Sequence, residues 1–162
     1  MELALEQAQI SLTEGNFPVG AVLVIDEKLI DQKRNFIKTK SDWISHAEME
    51  LIKEHSSLIK KSIKNNSFIT LYTTLEPCLM CLGAAALHRI SRIVYACSDP
   101  FTGATCVKQE DLPVGYKNMW PKMEGGLMKE DSKKLLIQCM ERGNNEKWKK
   151  MLELLEKKKE KK

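Results

Sequence analysis

Residues 67–97 read SFITLYTTLEPCLMCLGAAALHRISRIVYAC, and this stretch decides the fold. Ser67 to Thr73 is a run of β-branched and aromatic residues of strand length. Leu75-Glu76-Pro77 makes a tight connection, with Pro77 suited to a first helical position. Cys78 to about Leu87 then reads as a helix, and Ile90 to Cys97 returns to a strand. Upstream, Phe17 to Ile25 is an apolar run that predicts a buried strand after Pro18. Asp26-Glu27-Lys28 is a turn, and Leu29 to about Lys33 pairs back as a hairpin.

Helices fill the remaining intervals. Residues 2–13 carry strong helix formers, with Leu3, Leu5, Ala8 and Leu12 expected on the buried face and Gly15-Asn16 ending the helix. Residues 36–45 are polar and read as a loop, and a helix is expected from Ser45 or His46 to about Leu58. The order strand, strand, helix, strand, helix, strand predicts an α/β domain, with helices covering a mixed sheet of about five strands. Residues 98–126 are irregular and rich in Pro and Gly, which marks a functional stretch, with a short strand expected near 122–127. Helices are expected over 130–142 and 146–160, split by Gly143-Asn144-Asn145. One domain over 1–155 and a Lys/Glu tail over 156–162 result.

At 162 residues the chain can bury one sizeable core. The net charge of +4 is uneven. Residues 144–162 hold eight Lys against four Glu, which leaves 18 basic and 18 acidic residues in the body. A polyanionic partner therefore gains nothing from the body's net charge. The N-terminus has no basic region followed by an apolar run, and no stretch approaches the ~18 apolar residues of a membrane span, so a cytoplasmic location without membrane contact is expected. Five cysteines are an odd number for a disulfide framework.

Two of those cysteines have a spacing with chemical meaning. Cys78 and Cys81 lie at i and i+3, on one helix face and in its first turn, where the helix dipole favours the thiolate that binds zinc. With His46 they make a Cys₂His set that leaves a fourth tetrahedral position for water, as catalytic zinc requires. Zinc lowers the pKa of such a water toward ~7. Glu48 lies two residues from His46, off its helix face, and its longer arm can reach the site to take and return a proton. A thioredoxin-like redox pair leaves His46-Ala47-Glu48 unexplained, and a structural zinc site lacks a fourth ligand.

The pattern H-x-E…P-C-x-x-C is the signature of zinc nucleobase deaminases. The sequence resembles the cytidine/nucleobase deaminase superfamily, in the branch of bacterial tRNA adenosine deaminases, guanine deaminases and fungal-type cytosine deaminases. The residues that carry this are FPVGAVLV (17–24), Asn35, HAE (46–48), TTLEPCLMCLGAAALHRISRIVY (73–95), Asp99 and TGA (102–104). The resemblance implies a three-layer α/β/α fold, a Zn²⁺ cofactor, hydrolytic release of ammonia and a homodimer. It implies that Asn35 contacts the substrate, that the Ala47 amide faces the base or ribose, that the Cys78 amide helps hold the water, and that residues 18–20 line the pocket. Asp99 is read as a pocket residue or a turn former, and Trp43 as a base-stacking residue or an ordinary boundary aromatic. His88 is expected to cap its helix, His55 to sit at a surface or boundary, and Cys97, Cys106 and Cys139 to be small buried residues.

The motif determines the reaction and leaves the ring open. Ser98 stands where tRNA deaminases of the branch carry Arg, Phe36-Ile37 replace a common Arg-Pro, and their arginine-rich C-terminal helix is here a Lys/Glu helix with a single Trp148. These departures favour a small nucleobase or nucleoside, with Trp148 closing over the pocket. Deamination of wobble adenosine in tRNA to inosine is the alternative.

Overall fold

The apolar run after Pro18 becomes the centre of the sheet. A computed structural model describes residues 1–143 together with 150, 153 and 154. In chain order the elements are α1 (Glu2–Thr13), β1 (Gly20–Ile25), β2 (Lys28–Arg34), α2 (Ile37–Lys40), α3 (Ala47–Glu54), α4 (Ser56–Lys64), β3 (Ile69–Leu75), α5 (Leu79–Leu87) and β4 (Arg92–Cys97). A 3₁₀ turn (Gln109–Asp111), α6 (Val114–Lys117), β5 (Lys122–Gly125) and α7 (Lys129–Gly143) follow. The strands form one sheet in the order β2-β1-β3-β4-β5. β1 runs antiparallel to β2 and β3, while β3–β4 and β4–β5 are parallel, so the sheet is mixed as expected.

The register shows why these runs are strands. Leu23 faces Leu71, Leu71 faces Ile93, and Ile93 faces Met123, giving an apolar row across four strands. Leu23, Leu71 and Ile93 have no exposed surface. The β1–β2 hairpin turns on Asp26 and Glu27, both at positive φ (48° and 65°), the combination that a tight hairpin turn needs. Asp26 tolerates it and is tied down at once, since its Oδ1 accepts the Phe68 amide at 2.8 Å.

Several boundaries depart from the sequence reading. The helix expected to run from residue 46 to Leu58 is interrupted at His55, where the backbone reaches φ −100°, ψ 14° and the ring bonds Asp31 of β2 at 2.9 Å. α4 then extends to Lys64. The 36–45 loop contains the short α2. Pro77 is not a first helical position. It precedes the helix: its carbonyl accepts the Ala104 amide, and Cys78, in extended backbone, is the N-cap of α5. The short strand near 122 is present as β5. Of the helix expected over 146–160 only residues 150, 153 and 154 are described; Trp148 and the 156–162 tail lie outside the described residues. No described helix is long and apolar enough to cross a membrane.

α1 buries Ala4, Gln7, Ala8, Ser11 and Leu12, and Leu3 is instead exposed. Small residues line that face because Gly20 of β1 presses against it. A Cβ on Gly20 would overlap the Ala4 carbonyl and come within 2.6 Å of the Ala8 nitrogen. We expect Gly20→Ala to cost about 1–3 kcal/mol, the usual penalty for overpacking, read as a lower midpoint in chemical denaturation. An unchanged midpoint would show that α1 can move off the sheet freely.

Candidate metal centre and active cleft

Two helices begin side by side. His46 is the N-cap of α3 and Cys78 the N-cap of α5, both in extended backbone, and the helices pack on each other. Cys81 follows in the first turn of α5. His46 Nδ1 lies 3.8 Å from Cys78 Sγ and 3.5 Å from Cys81 Sγ, and the two sulfurs are 3.7 Å apart. A tetrahedral zinc with Zn–S of about 2.3 Å and Zn–N of about 2.1 Å needs edges of about 3.8 and 3.6 Å. The triangle therefore has the size and donor set for zinc, and among the described residues no fourth protein ligand joins it.

The electrostatics of the triangle suit a metal. The Cys78 thiol is lowered to about 4 by the Cys81 thiol donating to it and then by His46, against the cost of burial. Cys81 moves the opposite way, well above its usual value, through that same bond and its burial. One proton thus sits on the deeper sulfur while Cys78 is a thiolate. His46 is raised, chiefly by its bond to Cys78.

Glu48 reaches the triangle from within α3. Its Oε2 is 3.7 Å from Cys81 Sγ and its Oε1 accepts the Thr73 hydroxyl at 2.9 Å. Only 3% of Glu48 is exposed, and burial raises its carboxyl above the usual range. Thr73 was not singled out from the sequence. The signal was available: on β3 it alternates with Leu71 and Leu75, so a hydroxyl stands on a strand face otherwise apolar and buried.

A cleft of about 860 Å³ opens over this group. Asn35, Trp43, His46, Glu48, Cys78 and Asp99 all line it, so the structure brings together most of the residues expected from sequence. Val19 lines it too, as expected of the 18–20 segment. Cys81 and Ala47 are buried and outside the lining. Asn35 is buried and its Oδ1 accepts the Ile37 amide at 3.0 Å. Trp43 is 83% exposed at the rim. Asp99 combines both readings given to it: it faces the cleft, yet its Oδ1 accepts the Phe101 amide and its Oδ2 the Thr102 hydroxyl, which forms a turn. Lys38, Cys139 and Arg142 join the lining, the last two from α7, a contribution no local motif announces.

The other residues weighed from sequence have structural places. His88 caps α5, its Nδ1 2.9 Å from the Ala84 carbonyl. Cys97 is buried and Cys139 half-buried, but Cys106 is exposed, contrary to expectation, because the loop that carries it runs along the surface. A second grouping, Asp31, Glu54 and His55, holds the Lys33 ammonium at 3.0 Å from Asp31 and 2.9 Å from Glu54, so a cation of the chain already serves its carboxylates.

Residues 1–97 match the family described as the cytidine and deoxycytidylate deaminase zinc-binding region. The chain is 35% identical to the tRNA-specific adenosine deaminase of Rickettsia felis over 144 residues, 88% of this chain and 99% of that one. It is 33% identical to the Bacillus subtilis tRNA-specific adenosine deaminase over 131 residues, 81% of this chain and 80% of that one. Among solved structures, one from a study of A-to-I editing by tRNA:A34 deaminases matches with a TM-score of 0.66 and 31% identity, over 78% of this chain and 95% of that one. Guanine deaminase from Nitrosomonas europaea shares the fold at a TM-score of 0.65 and 18% identity, over 85% of this chain and 81% of that one.

The split between the two sulfurs has a measurable consequence. In chelator-treated protein at neutral pH, iodoacetamide should modify Cys78, the more exposed thiolate, before Cys81. Zinc should protect both. Peptide mass spectrometry reads the order, and prior labelling of Cys81 would contradict the assignment.

Proposed function

We propose that this chain, which belongs to the zinc-binding cytidine and deoxycytidylate deaminase family, deaminates an adenosine presented in a tRNA loop. It is a zinc-dependent hydrolase of the C–N bonds of cyclic amidines. What carries the tRNA reading is the reach of the similarity to the Rickettsia felis enzyme, which runs nearly the full length of that protein and well past the metal motifs. The cleft agrees with it: Trp43 projects at the mouth, where it can stack on a neighbouring base, and Lys38 and Arg142 place two cations beside it. Ser98 and the charge balance of residues 1–143 favour a second reading, a free nucleobase or nucleoside.

In this reading His46, Cys78 and Cys81 hold the zinc. The metal supplies Lewis acidity, which makes water a nucleophile near neutral pH. Glu48 takes the proton of the attacking water and passes it to the ring nitrogen; it then takes the proton of the new hydroxyl on the attacked carbon and gives it to the amine, which leaves as ammonia while that carbon becomes a carbonyl. A carboxyl raised by burial suits both halves of that task. Thr73 keeps Glu48 in one orientation through the 2.9 Å bond. Asn35 and the Ala47 amide orient the base, while Asp99 shapes the turn that faces it. Two copies pair in a homodimer, supported by the exposed Leu79 and Leu87 on α5. A cytoplasmic location follows from a tRNA substrate.

Ammonia release from a tRNA anticodon stem-loop, adenosine, guanine, cytosine and cytidine tests the substrate. Turnover of the stem-loop alone is expected. Preference for a free base would replace this reading with the second one. Glu48→Ala should keep its zinc and lose about 10²–10⁴ in turnover, whereas Cys78→Ala should lose the metal. Full activity in Glu48→Ala would remove that residue from the proton path.

A further inference from the structure

Glu76 stands between the last residue of β3 and Pro77, and its side chain gathers one segment around itself. Its Oε2 accepts the Asp99 amide at 3.0 Å. Its Oε1 accepts both the Thr105 amide at 3.0 Å and the Thr105 hydroxyl at 2.5 Å. Its own amide donates to the Cys97 carbonyl at 2.8 Å. The segment from Asp99 to Thr105 therefore starts and ends on a single carboxylate.

Its middle is held against the same group. Gly103 pairs with Cys78 in an isolated antiparallel bridge, and Ala104 donates to the Pro77 carbonyl at 3.0 Å. A side chain at Gly103 would overlap the Glu76 carboxyl and the Asp99 carbonyl. The segment supplies Asp99, Phe101 and Thr102 to the cleft, whose lining Glu76 joins. No described strand or helix includes residues 98–105, so the Glu76 carboxylate and these few backbone bonds do the holding. Glu76 is buried, and a buried carboxylate with three donors aimed at it loses much when one acceptor is replaced.

We infer that Glu76 is a positioning residue for the deamination, holding residues 99–105 as the substrate-side wall of the cleft. It acts on how the substrate is seated and leaves the metal and the proton path to other groups. The inference rests on the deaminase reading for its kinetic consequence, but the anchoring itself is measurable without any substrate.

Glu76→Gln keeps the shape and turns an N–H₂ toward donors. Hydrogen exchange followed by mass spectrometry should show amides 99–105 exchanging about tenfold faster than in the unaltered protein, with zinc content unchanged. In the stem-loop assay KM should rise about tenfold while kcat changes less than threefold. Thr105→Val, which removes only the hydroxyl donor, should raise KM by less, and adding it to Glu76→Gln should change little further. Should Glu76→Gln fail to fold, Thr105→Val alone must show faster exchange of the segment and a raised KM at constant kcat. Unchanged exchange overturns the inference. So does a loss of kcat together with zinc, which would make Glu76 part of the metal support. Absence of turnover in the unaltered enzyme would count against the substrate reading instead, and the exchange result would still decide the role of Glu76.

Discussion

The meeting of two helix N-termini is the constraint on which the rest of this protein depends. α3 and α5 pack on each other, and their N-cap residues, His46 and Cys78, meet at 3.8 Å through their side chains. That end of a helix carries unpaired N–H groups and a partial positive charge. It is the place in a fold where a thiolate is least costly, and Cys78 is a thiolate there. Bringing two such ends together is itself unfavourable unless negative groups lie between them. The sulfur of Cys78 is such a group, so the site and the helix packing stabilise each other.

The sheet is what makes the two ends meet. β3 feeds α5 directly, and its parallel pairing with β4 returns the chain across the sheet. β1, antiparallel to β3, sets the depth of the core on which α3 lies. The apolar row of Leu23, Leu71 and Ile93 holds this register, because a slip of one residue would turn each of those side chains to the opposite face. Thr73 shares that strand face with Leu71. The register that buries the core thus also presents the hydroxyl to Glu48.

The outer wall of the cleft follows another logic. Residues 99–105 lie outside the regular elements and are organised by carboxylates, Asp99 on its own turn and Glu76 on both ends of the segment. The wall meets the metal end at Pro77 and Cys78, which pair with Ala104 and Gly103.

The i, i+3 cysteine pair, the His46-Ala47-Glu48 segment and the layered α/β fold were legible in the sequence, because each is written in short-range spacing, whereas the meeting of the two segments is made by the fold. An i, i+3 pair of cysteines must share a helix face, and alternating or continuous apolar runs must be strands. The interrupted helix at His55, the place of Pro77 outside α5 and the small-residue face of α1 were not legible. Each is decided by a partner distant in the chain: Asp31, Ala104 and Gly20. Thr73 and Glu76 stood in plain view as one polar residue on a strand and one in a turn. What they do depends on which groups the fold sets opposite them. Spacing along the chain determines what a residue can be, and only the tertiary structure, by excluding water and choosing the neighbour, decides what it bonds.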